Sequence, residues 1–530
     1  MGPPPVAPPA LSCVSPVTGL SLGTVAPTAP EAVASAVAEA RAVQRLWWQL
    51  RARDRARYMA RAAQAVIDEA DELAELIGLE QGRPRAEIEL MELLPAIETL
   101  QWLAEHGPGI LAGEKVRVSR ALRPLTRARW TYEPLGVVAV LGPATEPFAT
   151  PLGDVAVALM AGNGVVCKPS PHAALAGERI ARVFARAGLP EGLLQIVHGG
   201  SVTGAALVDA PVDQVRFTGS LAAGRTVLEA CARGLKRSVL ELGGKDAMIV
   251  CADANVARAI DGAVWGAFAN AGQCGGSIER AYVLREVFPR FLAGVVAGAG
   301  KLAVGDPRDP AVAVGPLVDA ARRERVLELV DEAVAQGATL HCGGPVEVPG
   351  AAGAWFAPAV LTGVTNAMRL AREEVPGPVL AVHVVDSEDA AIAQANDSEL
   401  GLGASVWTTD RFKGARIARE LHVGMVGMND HLVARSAPQL PWGGVGGSGF
   451  GRARGAIALR TSAEPKVVTW DPPAGRPFRW FPYDATQVRA ARALTELRSA
   501  RDSDRQRGLR AGAVPIARIA VRTLRTVRRR

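Results

Sequence analysis

Residues 136–143 read GVVAVLGP, a short apolar run of β-forming residues that Gly142 and Pro143 end. Three similar runs follow, at 164–167 (GVVC), 195–198 (QIVH) and 214–217 (QVRF). Helical segments, such as residues 174–187, separate the runs. Short apolar strands that alternate with helices predict a parallel, doubly wound α/β sheet. Sheets of this class bind nucleotides beside the carboxyl ends of their strands.

The alternation of helices and strands extends on both sides of this sheet. Residues 30–78 are predicted to be helical, because Pro30 and Glu31 make a favourable helix start, and residues 85–106 form a second helical stretch. After Gly244, a strand at 247–250 and a helix at 255–269 predict a second α/β domain that continues to about Pro441. Residues 1–12 are predicted to be a disordered leader.

Charge is distributed unevenly along the chain. The 530 residues carry a formal net charge of +7, but residues 471–530 contain 15 arginines and 5 acidic residues. The other 470 residues carry 45 basic and 48 acidic groups, so the body is mildly acidic. The basic balance is therefore weak support for nucleic-acid binding, and no nucleic-acid partner is predicted.

The carboxyl-terminal tail has the pattern of a basic amphipathic helix. Its predicted apolar face comprises Ile516, Ile519, Ala520, Leu524 and Val527, and its predicted basic face Arg518, Arg522, Arg525 and Arg529. Such a helix suits an anionic membrane surface or an acidic partner. A solubilising tail is the alternative reading, and the pattern does not decide between them.

The cysteines indicate a reducing compartment. Six are scattered over the chain with neither CxxC pairs nor metal-ligand spacing, which predicts a cytoplasmic protein with no disulfide framework and no metal site. No apolar run approaches the ~18 residues of a membrane-spanning helix. The first ten residues lack the basic and apolar regions of a signal peptide.

Three segments carry candidate chemistry. Residues 219–224 (GSLAAG) follow a predicted strand and open a helix, where glycines admit a phosphate, although this spacing alone more often marks only a turn. Glu241, in ELGGK, lies on a predicted junction loop. Cys274 lies in a turn of small residues, NAGQCGG. Alone, Glu241 also reads as a surface carboxylate and Cys274 as a small buried hydrophobe.

The order of the motifs resembles the NAD(P)-dependent aldehyde dehydrogenase superfamily over residues 12–470. The motifs are GP at 142–143, KPS at 168–170, FTGS at 217–220, ELGGK at 241–245, GQC at 272–274, EEVPGP at 373–378, PWGG at 441–444 and SGFGR at 448–452. The resemblance implies a nucleotide-binding domain (13–113 and 134–243), a catalytic domain (244–457), oligomerisation strands (114–133 and 458–470) and a separate basic tail (471–530). It also implies a homodimer or homotetramer.

The resemblance further implies a reaction, the oxidation of a small-molecule aldehyde to a carboxylic acid with NAD or NADP. A cysteine thiolate attacks the aldehyde, and a glutamate-activated water hydrolyses the resulting thioester. The implied roles are Cys274 as nucleophile, Glu241 as base, Lys168 at the adenosine ribose, Gly219 and Ser220 in the pyrophosphate turn, Glu374 at the nicotinamide ribose, and Glu464 near the water path. Ser170 and Gly224 are further candidate cofactor-binding residues.

Four positions depart from the family pattern. Thr145 replaces the asparagine amide that holds the oxyanion, and loss of such a donor typically costs ~10²–10³ in rate. Gly275 occupies the family's nucleophile position, with Cys274 one residue earlier. Pro171 stands where NAD-preferring relatives often have a glutamate, which leaves the choice between NAD and NADP open. Pro376 replaces a phenylalanine.

Two readings of Cys274 follow from these departures. If the flanking glycines let the loop shift, Cys274 serves as the nucleophile; if the register is rigid, the nucleophile is missing. The second reading implies a catalytically impaired or non-catalytic homologue that acts as a nucleotide-binding or membrane-associated partner protein. His431, in the loop before Pro441, is a candidate for the lining of the substrate entrance, but a surface histidine is the favoured interpretation.

Overall fold

A computed structural model of the chain describes residues 10–118, 126–432, 436–471 and 480–527. The chain forms two compact units. The first comprises Met1–Leu111 and Glu133–Glu464, and the second Ala112–Tyr132 and Pro465–Arg530.

The helices are α1 (Pro30–Gln49), α2 (Ala52–Asp68), α3 (Ala70–Gln81), α4 (Arg85–Ile88), α5 (Leu94–Ile110), α6 (Ala149–Ala161), α7 (Ala174–Arg186), α8 (Ser201–Asp209), α9 (Leu221–Arg233), α10 (Val256–Phe268), α11 (Phe288–Gly300), α12 (Ala320–Ala335), α13 (Arg369–Arg372), α14 (Glu388–Asn396), α15 (Arg411–Glu420), α16 (Gly455–Thr461), α17 (Ala485–Glu496) and α18 (Asp502–Val527). A π-helical turn, Glu89–Leu93, joins α4 to α5, and 3₁₀ turns cover Pro171–Ala173 and Ala269–Gly272.

The strands are β1 (Leu11–Val14), β2 (Ser21–Val25), β3 (Glu114–Val116), β4 (Arg127–Pro134), β5 (Val137–Leu141), β6 (Gly164–Lys168), β7 (Leu194–Ile196), β8 (Gln214–Gly219), β9 (Arg237–Leu242), β10 (Asp246–Val250), β11 (Ile278–Leu284), β12 (Thr339–Pro345), β13 (Phe356–Thr362), β14 (Val379–Val385), β15 (Leu400–Gly401), β16 (Gly403–Trp407), β17 (Met425–Met428), β18 (Val445–Gly446), β19 (Gly449–Phe450) and β20 (Ala463–Trp470).

Two large sheets organise the first unit. One has the order β19-β9-β8-β5-β6-β7 and is parallel except for β19, which runs antiparallel to β9. The other has the order β12-β13-β14-β11-β10-β16-β17, with only β12 antiparallel to its neighbour. All five residues of β5 are buried, as expected for a strand covered on both faces. The predicted doubly wound α/β fold with two parallel sheets is confirmed.

Two predicted boundaries are wrong in detail. Strand β1 begins at Leu11, so Leu11 and Ser12 are ordered although the leader was expected to reach residue 12; residues 1–9 lie outside the described residues. The segment predicted as an oligomerisation strand from residue 458 begins as a helix, because α16 extends to Thr461 and the strand starts at Ala463. This short helix was not predicted because the glycine-rich sequence before it has no side-chain cap that marks a helix start.

The second unit contains a three-stranded sheet, β20-β4-β3, and the helices α17 and α18. Asp484 and Gln487 form a capping box at the start of α17. Helix α18 covers the predicted amphipathic segment, and within it Ile516 is half-buried and Arg518 exposed. Arg529 and the other side chains assigned to the two faces lie outside the described residues. Among the helices that the structure describes, none is long and apolar enough to cross a membrane.

Candidate active site

A cavity of about 510 Å³ opens in the first unit beside the carboxyl ends of β8 and β9. Six residues predicted from the sequence line it: Thr145, Gly219, Ser220, Glu241, Cys274 and Glu374. The cavity also has apolar walls, to which Trp102, Leu103, Val157 and Trp442 contribute. Residues more than 200 positions apart in the sequence therefore line one cavity.

The β8–α9 junction forms one wall. Gly219 ends β8, and Ser220 caps α9 by accepting a hydrogen bond from the backbone N–H of Ala223 at 3.4 Å. The first N–H groups of a helix favour an anion such as a phosphate. Glu241 lies inside β9, opposite Thr218 in β8, so its predicted position on a junction loop is wrong. The strand buries Glu241 to 6% exposure while leaving it at the cavity wall.

Glu374 is half-buried and lies beside a buried pair of charges. Lys245 pairs with Glu279, and both side chains are almost completely buried. Glu279 also accepts the backbone N–H of Val375 at 3.0 Å. Burial raises the pKa of Glu374 to about 8, and the neighbouring carboxylate of Glu279 adds to this effect. Burial likewise lowers the pKa of Lys245.

The loop that carries Cys274 has an unusual backbone. Asn270, Ala271 and Gly272 have φ values of 54°, 52° and 68°, so three consecutive residues are left-handed. For a residue other than glycine this conformation costs on the order of 1 kcal/mol. Gln273 is anchored by its side chain, which donates to the carbonyl of Asn270 at 3.2 Å and accepts from Val318 N at 3.0 Å.

Contacts after Cys274 hold the loop as well. The backbone N–H of Ser277 donates to Cys274 O at 2.9 Å, and its hydroxyl donates to Gly272 O at 3.3 Å. A shift of one residue along the chain would break these bonds. Cys274 is 6% exposed and lines the cavity beside Gly275. A β-carbon at Gly275 would meet only Leu402 Cδ2, at 3.8 Å, so this position has room for a side chain.

Thr145 lies on the turn before α6. Its hydroxyl donates to Glu146 Oε2 at 3.1 Å, so the proton points at a carboxylate in this structure. Glu146 is 5% exposed and also lines the cavity. The hydroxyl must therefore turn away from Glu146 before it can donate to an oxyanion.

Three predicted cofactor residues are absent from the cavity lining. Lys168 is buried, donates to Pro169 O at 3.1 Å, and has its pKa lowered to about 8 by burial. Ser170 caps the 3₁₀ turn that follows β6. Gly224 is buried in α9, where a β-carbon would meet Leu242 at 2.5 Å. Glu464 is half-exposed and pairs with Arg237, so it does not line the cavity either.

Sequence reasoning missed several residues near the site. Asn270 joins the turn of Thr145 to the loop of Cys274, and Glu87 in turn holds Asn270. An asparagine and a glutamate carry no recognisable motif here. They can be assigned to the site only because the folded chain brings them next to the turns of Thr145 and Cys274.

His431 was interpreted as a surface residue, but it is 4% exposed and its Nε2 donates to Gly276 O at 2.6 Å. Burial lowers the pKa of His431 to about 4, so the imidazole is neutral.

The cavity suits a nicotinamide dinucleotide. Gly219 and Gly243 let the side chains of Phe217 and Glu374 lie directly against the backbone at the cavity wall, since β-carbons there would collide with them. The start of α9 offers N–H groups to a pyrophosphate, and the Glu374 carboxylate is an acceptor for ribose hydroxyls. Within the described residues, no group of three His, Cys, Asp or Glu side chains could hold a metal ion.

Comparison with known proteins agrees with this geometry. Residues 6–468 match the model of the aldehyde dehydrogenase family. The chain is 38% identical to the 4,4'-diapolycopene aldehyde oxidase of Methylomonas sp, over 94% of this chain and 93% of that protein. It is 37% identical to an aldehyde dehydrogenase of Paenarthrobacter nicotinovorans, over 87% of this chain and 99% of that protein.

A solved structure matches the fold. The aldehyde dehydrogenase of Mycobacterium tuberculosis complexed with NAD+ has a TM-score of 0.82 and 35% identity, with 87% of this chain and 94% of that chain covered. These relatives favour the enzyme over a non-catalytic homologue. The chain therefore belongs to the aldehyde dehydrogenase family, and its activity is the NAD(P)-dependent oxidation of an aldehyde to a carboxylic acid.

Proposed function

We propose that this oxidation proceeds through the thiol of Cys274, with Glu241 as the base. The observation that carries the proposal is that Cys274, Thr145 and Glu241 line the same cavity as the cofactor candidates Gly219 and Glu374. Because the loop of Cys274 is pinned on both sides, the thiol acts from its present position rather than after a one-residue shift.

Each side chain has a step of its own. The Cys274 thiolate forms a bond to the carbonyl carbon of the aldehyde, and the carbonyl oxygen becomes an oxyanion. The hydroxyl of Thr145, turned away from Glu146, donates to that oxyanion. Loss of hydride from the same carbon leaves a thioester on Cys274. Glu241 then takes a proton from a water molecule, whose oxygen displaces the thiolate and gives the acid.

NAD or NADP, when bound, supplies the hydride acceptor. We place the pyrophosphate against Gly219, Ser220 and the start of α9, and the nicotinamide ribose at Glu374. Lys168 and Ser170, at the end of β6, are the proposed contacts of the adenosine ribose, outside the cavity of 510 Å³. Gly224 supports this arrangement indirectly, because its lack of a side chain lets α9 lie close to Leu242.

A panel of aldehydes, incubated with each cofactor, tests the proposal through the absorbance of the reduced nicotinamide. We expect turnover that Cys274→Ala reduces by at least ~10³. Cys231→Ala is the matched control, because Cys231 is buried in α9 and does not line the cavity. Full activity of Cys274→Ala would remove Cys274 from this role. Absence of turnover with every aldehyde would favour the non-catalytic alternative.

The substrate that we propose is a long apolar aldehyde. The relative named for an aldehyde of 4,4'-diapolycopene matches 94% of this chain, whereas the relative from Paenarthrobacter nicotinovorans matches 87%. The walls formed by Trp102, Leu103 and Val157 suit a hydrocarbon.

Gly153 lines the same wall, and a β-carbon there would meet only Thr99 Cγ2, at 3.9 Å. We expect Gly153→Leu to lower kcat/KM for long aldehydes and to spare short ones; an equal loss for both would contradict an apolar channel.

The remaining assignments concern the whole protein. We propose a cytoplasmic homodimer or homotetramer whose strands at 114–133 and 463–470 mediate assembly. The six-stranded sheet that contains β8 and β9 binds the cofactor, and the nucleophile lies between β10 and β11 of the seven-stranded sheet. Helix α18 contacts an anionic membrane surface, where an apolar aldehyde would dissolve. Sedimentation with anionic vesicles, with and without residues 511–530, tests the last point; equal binding of both forms would contradict it.

A further inference from the structure

One side-chain amide joins the two turns that carry Thr145 and Cys274. Asn270 Nδ2 donates to Thr145 O and to Gln273 O, both at 3.1 Å. Asn270 is 5% exposed, so these bonds are shielded from water. Because the amide spans the two turns, its position sets the distance between the Thr145 turn and the residue that precedes Cys274.

Glu87 holds Asn270 in place. The backbone N–H of Asn270 donates to both carboxylate oxygens of Glu87, at 2.9 and 3.0 Å. Asn270 has a φ of 54°, a left-handed conformation that a non-glycine residue keeps only when its surroundings enforce it. The carboxylate of Glu87 is therefore a direct restraint on the nucleophile loop.

Glu92 holds the other turn in the same way. Its Oε2 accepts the backbone N–H groups of Phe148, at 3.2 Å, and Ala149, at 2.6 Å. These amides start α6, three and four residues after Thr145. A carboxylate at a helix amino terminus is stabilised by the helix dipole as well as by the hydrogen bonds.

Arg83 lies between the two carboxylates. Its Nη1 is 2.7 Å from Glu92 Oε1, and its Nε is 3.8 Å from Glu87 Oε2. The Arg83 side chain is 2% exposed and that of Glu92 is completely buried. One buried guanidinium thus contacts two carboxylates, each of which holds a different turn of the site.

The π turn explains how one arginine reaches both carboxylates. Glu87 and Glu92 are five residues apart, and in an α-helix that separation is a rotation of about 140° away from a common face. The π turn Glu89–Leu93 lies between them, and its wider winding brings residues five apart to the same side. The irregular helix therefore presents both acids to Arg83.

We propose that Arg83, Glu87, Glu92 and Asn270 form a positioning clamp that sets the distance between the Thr145 hydroxyl and the Cys274 thiol. The functional part of this inference rests on the roles proposed above for Thr145 and Cys274. None of the four is among the residues that line the cavity, so they are positioning residues rather than catalytic ones.

Backbone hydrogen exchange tests the clamp without reference to activity. We expect Glu87→Gln to accelerate exchange by about fivefold or more in residues 270–277 only, and Glu92→Gln in residues 145–152 only, since each variant loosens one turn. Arg83→Met should accelerate both segments. Glu89→Gln is the matched control, because Glu89 lies on the same helix, is partly exposed and pairs with Arg85 instead; it should change neither segment.

Kinetics then connect the clamp to the chemistry. In Glu87→Gln and Glu92→Gln we expect kcat to fall about tenfold while the Kd of the cofactor stays within about twofold, because misplacement affects reaction more than binding. Unchanged exchange in both turns, or a uniform increase over the whole first unit, would overturn the clamp. If Arg83→Met does not fold, the exchange patterns of Glu87→Gln and Glu92→Gln still test whether the clamp exists. If the wild-type protein shows no turnover, the proposed function fails while the exchange pattern still decides the clamp.

Discussion

The carboxylate of Glu374 lies against the α-carbon of Gly243, so closely that a β-carbon at position 243 would overlap Oε2. Gly243 follows β9, and Glu374 precedes the β14 strand of the other large sheet. The contact joins the two sheets at the cavity. Glu374, which is proposed to bind the ribose, can take this position only because residue 243 is a glycine.

Substitution of Gly243 by alanine should displace Glu374. We expect Gly243→Ala to weaken cofactor binding about tenfold or more, equivalent to at least about 1.4 kcal/mol, since the ribose loses its acceptor. Titration of the protein with reduced cofactor, followed by fluorescence, measures this change. Gly109→Ala is a suitable control, because an added β-carbon there has no neighbour within 4 Å. Equal affinities of both variants and the wild type would contradict the assignment of Glu374.

The carboxyl of Glu374, half-buried at the cavity wall, should make stability depend on pH. Its pKa is about 8 in the folded chain, against 4.5 for a free carboxyl, because burial disfavours the charged form. Between these values the folded state binds more protons than the unfolded state, so stability falls as the pH rises from 4.5 to about 8. We expect Glu374→Gln to remove this decline.

Urea unfolding at two pH values measures the effect. At about pH 8 the Glu374→Gln variant should be more stable than the wild type by roughly 2–4 kcal/mol, and at about pH 5 most of this difference should disappear. Glu105→Gln, at an exposed carboxylate, supplies the comparison. A difference that is constant between the two pH values would show that the charge of Glu374 is not its cause.

A thiol at position 275 should increase activity. A β-carbon there meets only Leu402, at 3.8 Å, so Gly275→Cys is sterically acceptable. It places sulfur at the position that the family resemblance implies for the nucleophile, about 3.8 Å along the chain from Cys274, and we expect kcat to rise by about ten- to a hundredfold. Single-turnover formation of reduced cofactor is the measurement. Gly275→Ser controls for volume, and an equal rate for serine and cysteine would indicate that the thiol itself contributes nothing.

Pro171 should influence the choice of cofactor. It begins the 3₁₀ turn after β6, close to Lys168 and Ser170, and it offers no carboxylate to a 2′-phosphate. We expect the wild type to accept NADP, and Pro171→Glu to raise the KM for NADP by about tenfold through like-charge repulsion while sparing NAD. Pro171→Gln, of similar size and no charge, separates repulsion from crowding. A parallel change for both cofactors would point to crowding.

The fold could largely be predicted, because its signals are local. The run at 137–141 is apolar throughout and becomes β5, and Pro30 begins α1 as its fixed φ favours. The site was harder, because it depends on residues that meet only in the folded chain. Six predicted residues do share one cavity: Thr145, Gly219, Ser220 and Glu241 lie at one edge of the first parallel sheet, and loops of the second sheet bring Cys274 and Glu374 to it.

What sequence reasoning missed has a physical cause in each case. His431 is buried, and its imidazole bonds the carbonyl of Gly276, which lies 155 positions earlier in the chain, so the sequence around His431 gives no sign of this contact. The π turn Glu89–Leu93 has no compositional signal, since leucine and glutamate also favour an ordinary helix. Glu241 was assigned to a loop because glycines follow it, but β9 continues through Leu242 before those glycines begin.

The left-handed run at Asn270, Ala271 and Gly272 has a consequence for how this site can diverge. A backbone bent in this way is ordered during folding, so none of that entropy is lost again at each turnover. An insertion or deletion here would move Gln273 and Ser277 out of the hydrogen bonds that hold the loop. At this loop the main chain can therefore stay unchanged while the side chains at positions 274 and 275 are exchanged, since Gly275 has room for a side chain.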